Sequence, residues 1–194
     1  MIPGRGLTNH AAILLSDGRV GVFGGYEGFQ GIGTNGIFTY DPTTDIWQEL
    51  SLMQTWRFAH TVTRLLDARA LIVGGITQFD VRTEIYDSLA NGGAGESLPG
   101  NPISVNRRGH TATLLLNGDV LIVGGQTVDG SATIAQSELF NHLTGTWTNP
   151  SSLMTDRTSH TATLLPSGQV LVVGGYRVAG GVILQPYLTS AEFQ

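Results

Sequence analysis

Four histidines stand fifty residues apart, at His10, His60, His110 and His160. Imidazole is the commonest metal ligand and the side chain that titrates nearest neutrality, so four at one spacing raise the question of a metal site. Three arginines keep the same step, Arg57, Arg107 and Arg157, each three residues before its histidine. Grouped guanidinium ions could collect anions. Gly31-Ile-Gly-Thr-Asn-Gly36 matches the G-x-G-x-x-G pattern that cradles dinucleotide phosphates. Whether any of these residues does chemistry depends on the elements that carry them.

The fifty-residue step belongs to the whole chain. Gly-Gly pairs recur at Gly24-Gly25, Gly74-Gly75, Gly124-Gly125 and Gly174-Gly175. The stretch from His160 to Gly175 matches that from His110 to Gly125 at 12 of 16 positions. Each unit reads as four short strands. The first holds His-Thr-Ala-Thr-Leu-Leu, and a turn at Asn117-Gly118 or Ser167-Gly168 suits a two-residue hairpin. The second strand, such as Val170 to Val173, is apolar on both faces, so both faces must be covered. The glycine pair then ends it where side chains would obstruct a close backbone approach. The third strand begins at Glu84 or Glu138, and the fourth carries Trp47 or Trp147 to fill the gap between sheets.

These elements favour structural roles. Side chains alternate along a strand, and both sheet faces pack on neighbours. The histidines are therefore expected to hydrogen-bond between repeats, with no metal and no cofactor. His142, in a turn before Trp147, reads as solvated. No helix follows Gly36, so the glycine pattern is a loop without the helix N-terminus a pyrophosphate needs. The arginines track the third strand: Glu84, Glu138 and Glu192 accompany Arg57, Arg107 and Arg157, whereas the first unit has Leu7 and Phe38 instead. Joint presence and joint loss is the pattern of a structural ion pair within one repeat.

Composition narrows the partners. Of 194 residues 27 are glycine and only 13% are charged, which suits short strands and tight turns. Net charge is −5, all ten basic residues are arginine, and they are scattered apart from Arg107-Arg108; nucleic-acid binding is disfavoured. No cysteine is present, which removes disulfides and thiolate chemistry. No apolar run approaches the length of a membrane span, and Met1 to Gly6 is followed by no signal-peptide core.

The unit resembles the kelch repeat, in the form found in many bacterial proteins and in the central domain of galactose oxidase-like proteins. The residues that carry this are Arg157-Thr-Ser-His160-Thr-Ala-Thr-Leu-Leu, Gly174-Gly175, and Tyr40-Asp41-Pro42 through Trp47. The resemblance implies an all-β fold, a kelch-type β-propeller of four radially arranged antiparallel blades near 1–50, 51–100, 101–150 and 151–194, the last lacking its outer strand. A linear β-solenoid is the competing repeat architecture, with repeats usually half this length or less. Thr144-Gly145-Thr146-Trp147 resembles the tail of the sialidase Asp box, but the tryptophan period and Tyr40-Asp41-Pro42 suit kelch better. Kelch propellers usually have more blades, so the chain reads as part of a longer protein, with further blades or self-association to cover its open faces.

Kelch propellers include enzymes and pure binding modules, so the fold leaves function open. The expected function is a non-catalytic scaffold that presents the loops between its second and third strands, and those between its fourth strand and the next repeat, to a protein, glycan or small ligand. The alternative is a fragment of a galactose oxidase-like or other carbohydrate-active enzyme with its catalytic residues elsewhere; the copper chemistry of galactose oxidase needs a Tyr–Cys crosslink, and this chain has no cysteine. The loop candidates are Tyr26, Phe29, Gln30, Gln78, Phe79, Tyr176, Arg177 and Tyr187, between the second and third strands, where repeat length varies most. Composition leans toward a secreted or cell-surface location.

Overall fold

A computed structural model describes residues 6–28, 31–77, 82–184 and 187–194. The chain forms two compact units, Met1–Gly100 and Asn101–Gln194, each holding two repeats. The architecture is all-β and antiparallel. In the first unit, one sheet is a meander of Ala11–Leu14, Val20–Phe23, Gly36–Asp41 and Ile46–Leu52; the other joins Thr61–Arg64, Ala70–Val73, Arg82–Asp87 and Glu96–Pro102 in the same order. In the second unit, Thr111–Leu114, Val120–Val123, Ser137–Phe140 and Trp147–Thr148 repeat the meander. The last sheet has three strands among the described residues, Thr161–Leu164, Val170–Val173 and Ala191–Phe193. The helical content among the described residues is the single turn Ala90–Gly93, with Asn91 and Gly92 at left-handed φ.

Register makes the repeats superimposable. Val22, Ile72, Ile122 and Val172 pair with Phe38, Glu84, Glu138 and Glu192 respectively. Phe38 therefore occupies the glutamate position. The third strands begin earlier than their glutamates, at Arg82 and Ser137.

Apolar second strands do what their composition demands: Ala70–Val73 and Val120–Val123 are buried at every residue. In the first unit Phe23, Ile37 and Met53 interleave with Ala70, Ile72 and Tyr86 from the next sheet. In the second, Leu121, Val123 and Leu153 meet Val170 and Val172. The two fourth-strand tryptophans each meet an aromatic ring of their own sheet, and Trp147 Nε1–H also donates to Asn101 O on the preceding fourth strand (3.2 Å). Trp47 lies across from Tyr40, with ring centroids 5.1 Å apart, and Trp147 lies across from Phe140 at 5.1 Å.

The tight turn differs from the two-residue hairpin. Leu115 N–H donates to Asp119 O at 2.8 Å and Gly118 N–H to Leu115 O at 3.0 Å. That is a three-residue loop whose last residue is left-handed. The same bonds recur at Leu15, Leu65 and Leu165. The dipeptide is misleading because Gly serves either turn; the bond that the fifth residue's carbonyl accepts from the first residue's N–H decides.

Gly18, Gly118 and Gly168 take the left-handed position at φ 88°, 91° and 88°, whereas the second repeat forces Ala68 to φ 75°. A side chain at Gly18 would meet nothing within 4 Å, so the cost at this position is conformational rather than steric crowding. Left-handed backbone costs an L residue about 1–2 kcal/mol, part of which glycine returns as unfolded-state entropy. Ala68→Gly should therefore stabilise the protein by roughly 0.5–1 kcal/mol, read as a higher urea midpoint with an unchanged slope. An unchanged or lower midpoint would contradict this reading of the turn.

Candidate functional site

The repeated charged residues are buried inside their own repeats. Arg57 lies 2.6 Å from Glu84, Arg107 2.6 Å from Glu138 and Arg157 2.5 Å from Glu192, with every one of these side chains at most 5% exposed. Each guanidinium also donates to the carbonyl of the first glycine of the pair: Arg57 to Gly74 (3.1 Å), Arg107 to Gly124 (2.9 Å) and Arg157 to Gly174 (3.0 Å). Each glutamate accepts the backbone N–H three residues before its arginine, from Gln54, Ser104 and Met154, at 2.6–2.7 Å. Burial draws the Arg57 and Arg107 pKa below the usual guanidinium value, and the paired carboxylates oppose that shift. No face of these arginines opens to an anion.

The glycine pairs and histidines stitch successive repeats together within each unit. Gly25 N–H donates to Arg57 O (2.9 Å) and Gly125 N–H to Arg157 O (2.8 Å). A methyl on Gly24 would stand 2.4 Å from Arg57 O, and one on Gly124 would stand 2.6 Å from Arg157 O. Ala59 N–H reaches Asn9 O (2.8 Å), as Ser159 N–H reaches Gly109 O (3.0 Å).

His60, His110 and His160 are buried, whereas His10 is exposed. His160 Nε2 shares a hydrogen bond with Thr111 Oγ1 of the preceding repeat (3.0 Å). Burial, aided by Arg157, pulls the His160 pKa down to about 4; burial, Arg57 and His10 pull that of His60 down to about 3. Both rings are neutral at physiological pH. Among the described residues no group of three or more acidic or histidine side chains is placed to hold a metal.

His142 corrects the sequence reading. It is not simply solvated: its Nδ1 lies 2.9 Å from Asp119 Oδ1 and its N–H donates to the same oxygen at 3.1 Å. Burial pushes the Asp119 carboxyl up, but bonds from His142 and Asn117 outweigh it and hold the pKa below the usual range. The G-x-G-x-x-G stretch opens no helix: Ile32–Gly33 pairs with Tyr26–Glu27, and Gly36 opens the third strand.

At the end of each sheet where the glycine pairs lie, the chain forms short ribbons rather than irregular loops. Arg57–Phe58 pairs with Ile76–Thr77, Arg107–Arg108 with Gln126–Thr127, and Leu7–Thr8 with Tyr26–Glu27. Thr158 and Tyr176 form the equivalent bridge. Two-residue strands leave no periodicity to read. Around the fixed arginines the ribbon residues change from repeat to repeat: Trp56, Asn106 and Asp156 before, and Thr8, Phe58, Arg108 and Thr158 at the next position.

Of the sequence candidates, Phe29, Gln30, Gln78 and Phe79 lie outside the described residues. In the first unit Tyr26 is half-buried against Phe58, with centroids 5.2 Å apart, and Phe58 stacks on Trp56 at 6.1 Å and 9°. In the second unit Tyr176 meets Tyr187 edge-on at 6.1 Å, and Tyr187 is 58% exposed. Arg177 is not a free loop cation: its Nε is 2.7 Å from Asp156. It opens a hairpin, Arg177–Ala179 with Val182–Leu184, that bonds the loop of the third repeat through Thr133 N–H and Val178 O (3.0 Å). Trp56 and Phe58 were missed. Their signal was available, since they are the only aromatic residues at the two positions that flank the repeated arginine.

The opposite, tight-turn end of the first unit holds a cleft of about 540 Å³ lined by Asp17, Arg19, Asp41 and Gln48 among others. Its charges are committed locally. Arg19 forks onto Asp17 (2.6 and 3.0 Å) and reaches Gly93 O (3.2 Å), while Asp41 accepts from Thr43 N–H and Oγ1 (2.8 and 2.6 Å). No protein-family model matches the chain, and no curated protein matches it.

The histidine geometry yields a direct test. Ala11 occupies, fifty residues before Thr61, the place that Thr111 holds for His160. Among the described residues neither ring nitrogen of His60 has a hydrogen-bond partner; the Phe23 carbonyl lies near the ring without reaching bonding geometry. Ala11→Thr should supply the missing hydroxyl and stabilise the fold by about 1 kcal/mol. The gain should vanish in the His60→Leu background. A gain that persists without His60 would sink the assignment.

Proposed function

We propose that the chain is a kelch-type β-propeller scaffold, each repeat a blade, and that it acts by binding rather than catalysis. The observation that carries this is the division of each repeat into a fixed frame and a variable rim. Arg, Glu and Gly-Gly are spent on internal bonds, and the residues between and beside them differ at one end of the sheets. A rigid frame that holds variable ribbons is the arrangement on which recognition surfaces are built. The arginine and glutamate groups of the frame are buried and paired, which leaves them no substrate to reach.

The rim of the first unit offers Tyr26, Phe58 and Trp56 as joined, half-buried aromatic faces. The rim of the second offers Tyr176 and Tyr187. Aromatic rings give large contact area at low entropy cost, the property enriched in recognition surfaces. A protein or glycan partner suits such rims.

The test is to present the purified chain to a glycan array and to a displayed peptide library, then to remeasure each captured ligand against rim and turn variants. Tyr26→Ala with Trp56→Ala, or Tyr187→Ala, should weaken binding at least tenfold. Leu66→Ser and Leu116→Ser, at the exposed tight turns, should leave it unchanged. Binding abolished by the turn variants alone, or chemical turnover of a bound glycan, would contradict the proposal.

A further inference from the structure

The face of one sheet that receives the next can be compared in a covered and an uncovered state. In the first and third repeats that face is closed. Phe23 and Val123 are fully buried, and the glycine pair meets the carbonyl of the following arginine segment. The fourth repeat carries the same residues with the face open. Val173, at the position of Phe23 and Val123, is 40% exposed, and Phe193, across from Leu171 on the same sheet face, is 58% exposed. Gly174 has room: a methyl there would find its nearest neighbour, Leu188 O, at 3.8 Å, against 2.4 and 2.6 Å at Gly24 and Gly124.

The first repeat shows the complementary surface. In the second unit Ala162 and Leu164 of the fourth repeat pack against the core of the third, and His160 is buried against it. Their counterparts three fifty-residue steps back in the first repeat, Ala12, Leu14 and His10, are exposed, Leu14 at 58%. The Leu7 carbonyl stands where those of Arg57 and Arg157 stand.

We propose that the open face of the fourth repeat, centred on Val173, Gly174 and Phe193, docks the first repeat of a second copy of this chain. The contact is head-to-tail, and it reproduces between molecules the interface already present twice within the chain. Such a heterologous contact propagates into rings or filaments unless it closes. Apolar sheet faces left in water favour the same outcome. This inference rests on the inter-repeat geometry and stands apart from the rim-binding reading.

Sedimentation equilibrium across a wide concentration range tests it. The average mass of the unaltered chain should at least double with concentration. Leu14→Asp and Val173→Asp place a charge on one half of the contact each, so each variant alone should sediment as a monomer. Mixed together they retain one intact pair of faces, and should form a one-to-one dimer that grows no further. Circular dichroism checks that each variant keeps its sheet signal; Ala12→Glu and Phe193→Glu, also at exposed positions, replace any variant that loses it. An unaltered chain that remains monomeric throughout, or a mixture of folded variants that stays monomeric, would overturn the proposal.

Discussion

The buried arginine–glutamate couple is the interaction on which each repeat depends. It joins three stretches of chain that the sheet ladder alone would leave independent: the lead-in segment with the arginine, the glycine pair that ends the second strand, and the third strand with the glutamate. The glutamate also binds the connection from the preceding sheet through one backbone N–H. On the other side of that connection, Met53 N–H and Leu153 N–H donate to Asn35 O and Ala135 O of the preceding repeat, at 2.7 and 2.8 Å. The linker is thus fixed from both sides. Two charges out of water are costly, and they persist because nearly every donor and acceptor finds a partner.

The first repeat is a natural control. It has Leu7 and Phe38 in place of the couple, yet its sheet has the same order and register. Phe38 is 3% exposed, so the glutamate position stays buried when its charge is gone. An apolar pair can fill the site, whereas half a pair cannot, because a lone buried charge has nothing to offset its desolvation. That rule explains why the residues change together. It also explains why the repeated arginines, among the most chemical-looking residues in the sequence, contribute architecture.

Much of this was legible in the sequence. The fifty-residue step fixed the strands, because a repeated His-to-Gly-Gly segment can hardly fold four ways. Comparison of the units exposed the Arg–Glu coupling, since Leu7 and Phe38 appear together. What escaped had physical reasons. The tight turn depends on a backbone bond that an Asn-Gly dipeptide does not specify, and Ala68 adopts it without glycine. The rim ribbons have two residues per strand, too few for alternation to show. His142 pairs with Asp119 across a strand-to-strand connection, a contact that spacing could not reveal. Trp56 and Phe58 were legible in principle, as departures at positions flanking a repeated arginine.

The central claim is that the Arg–Glu couple is a structural unit which tolerates joint but not single replacement. A double-mutant cycle on Arg107 and Glu138, read by urea denaturation, tests it most directly. Arg107→Leu or Glu138→Phe alone should each cost about 3–5 kcal/mol. The double variant, which copies the Leu7 and Phe38 arrangement of the first repeat, should recover most of that loss. Single variants with small effects, or a double variant as destabilised as the sum of the two, would contradict the account.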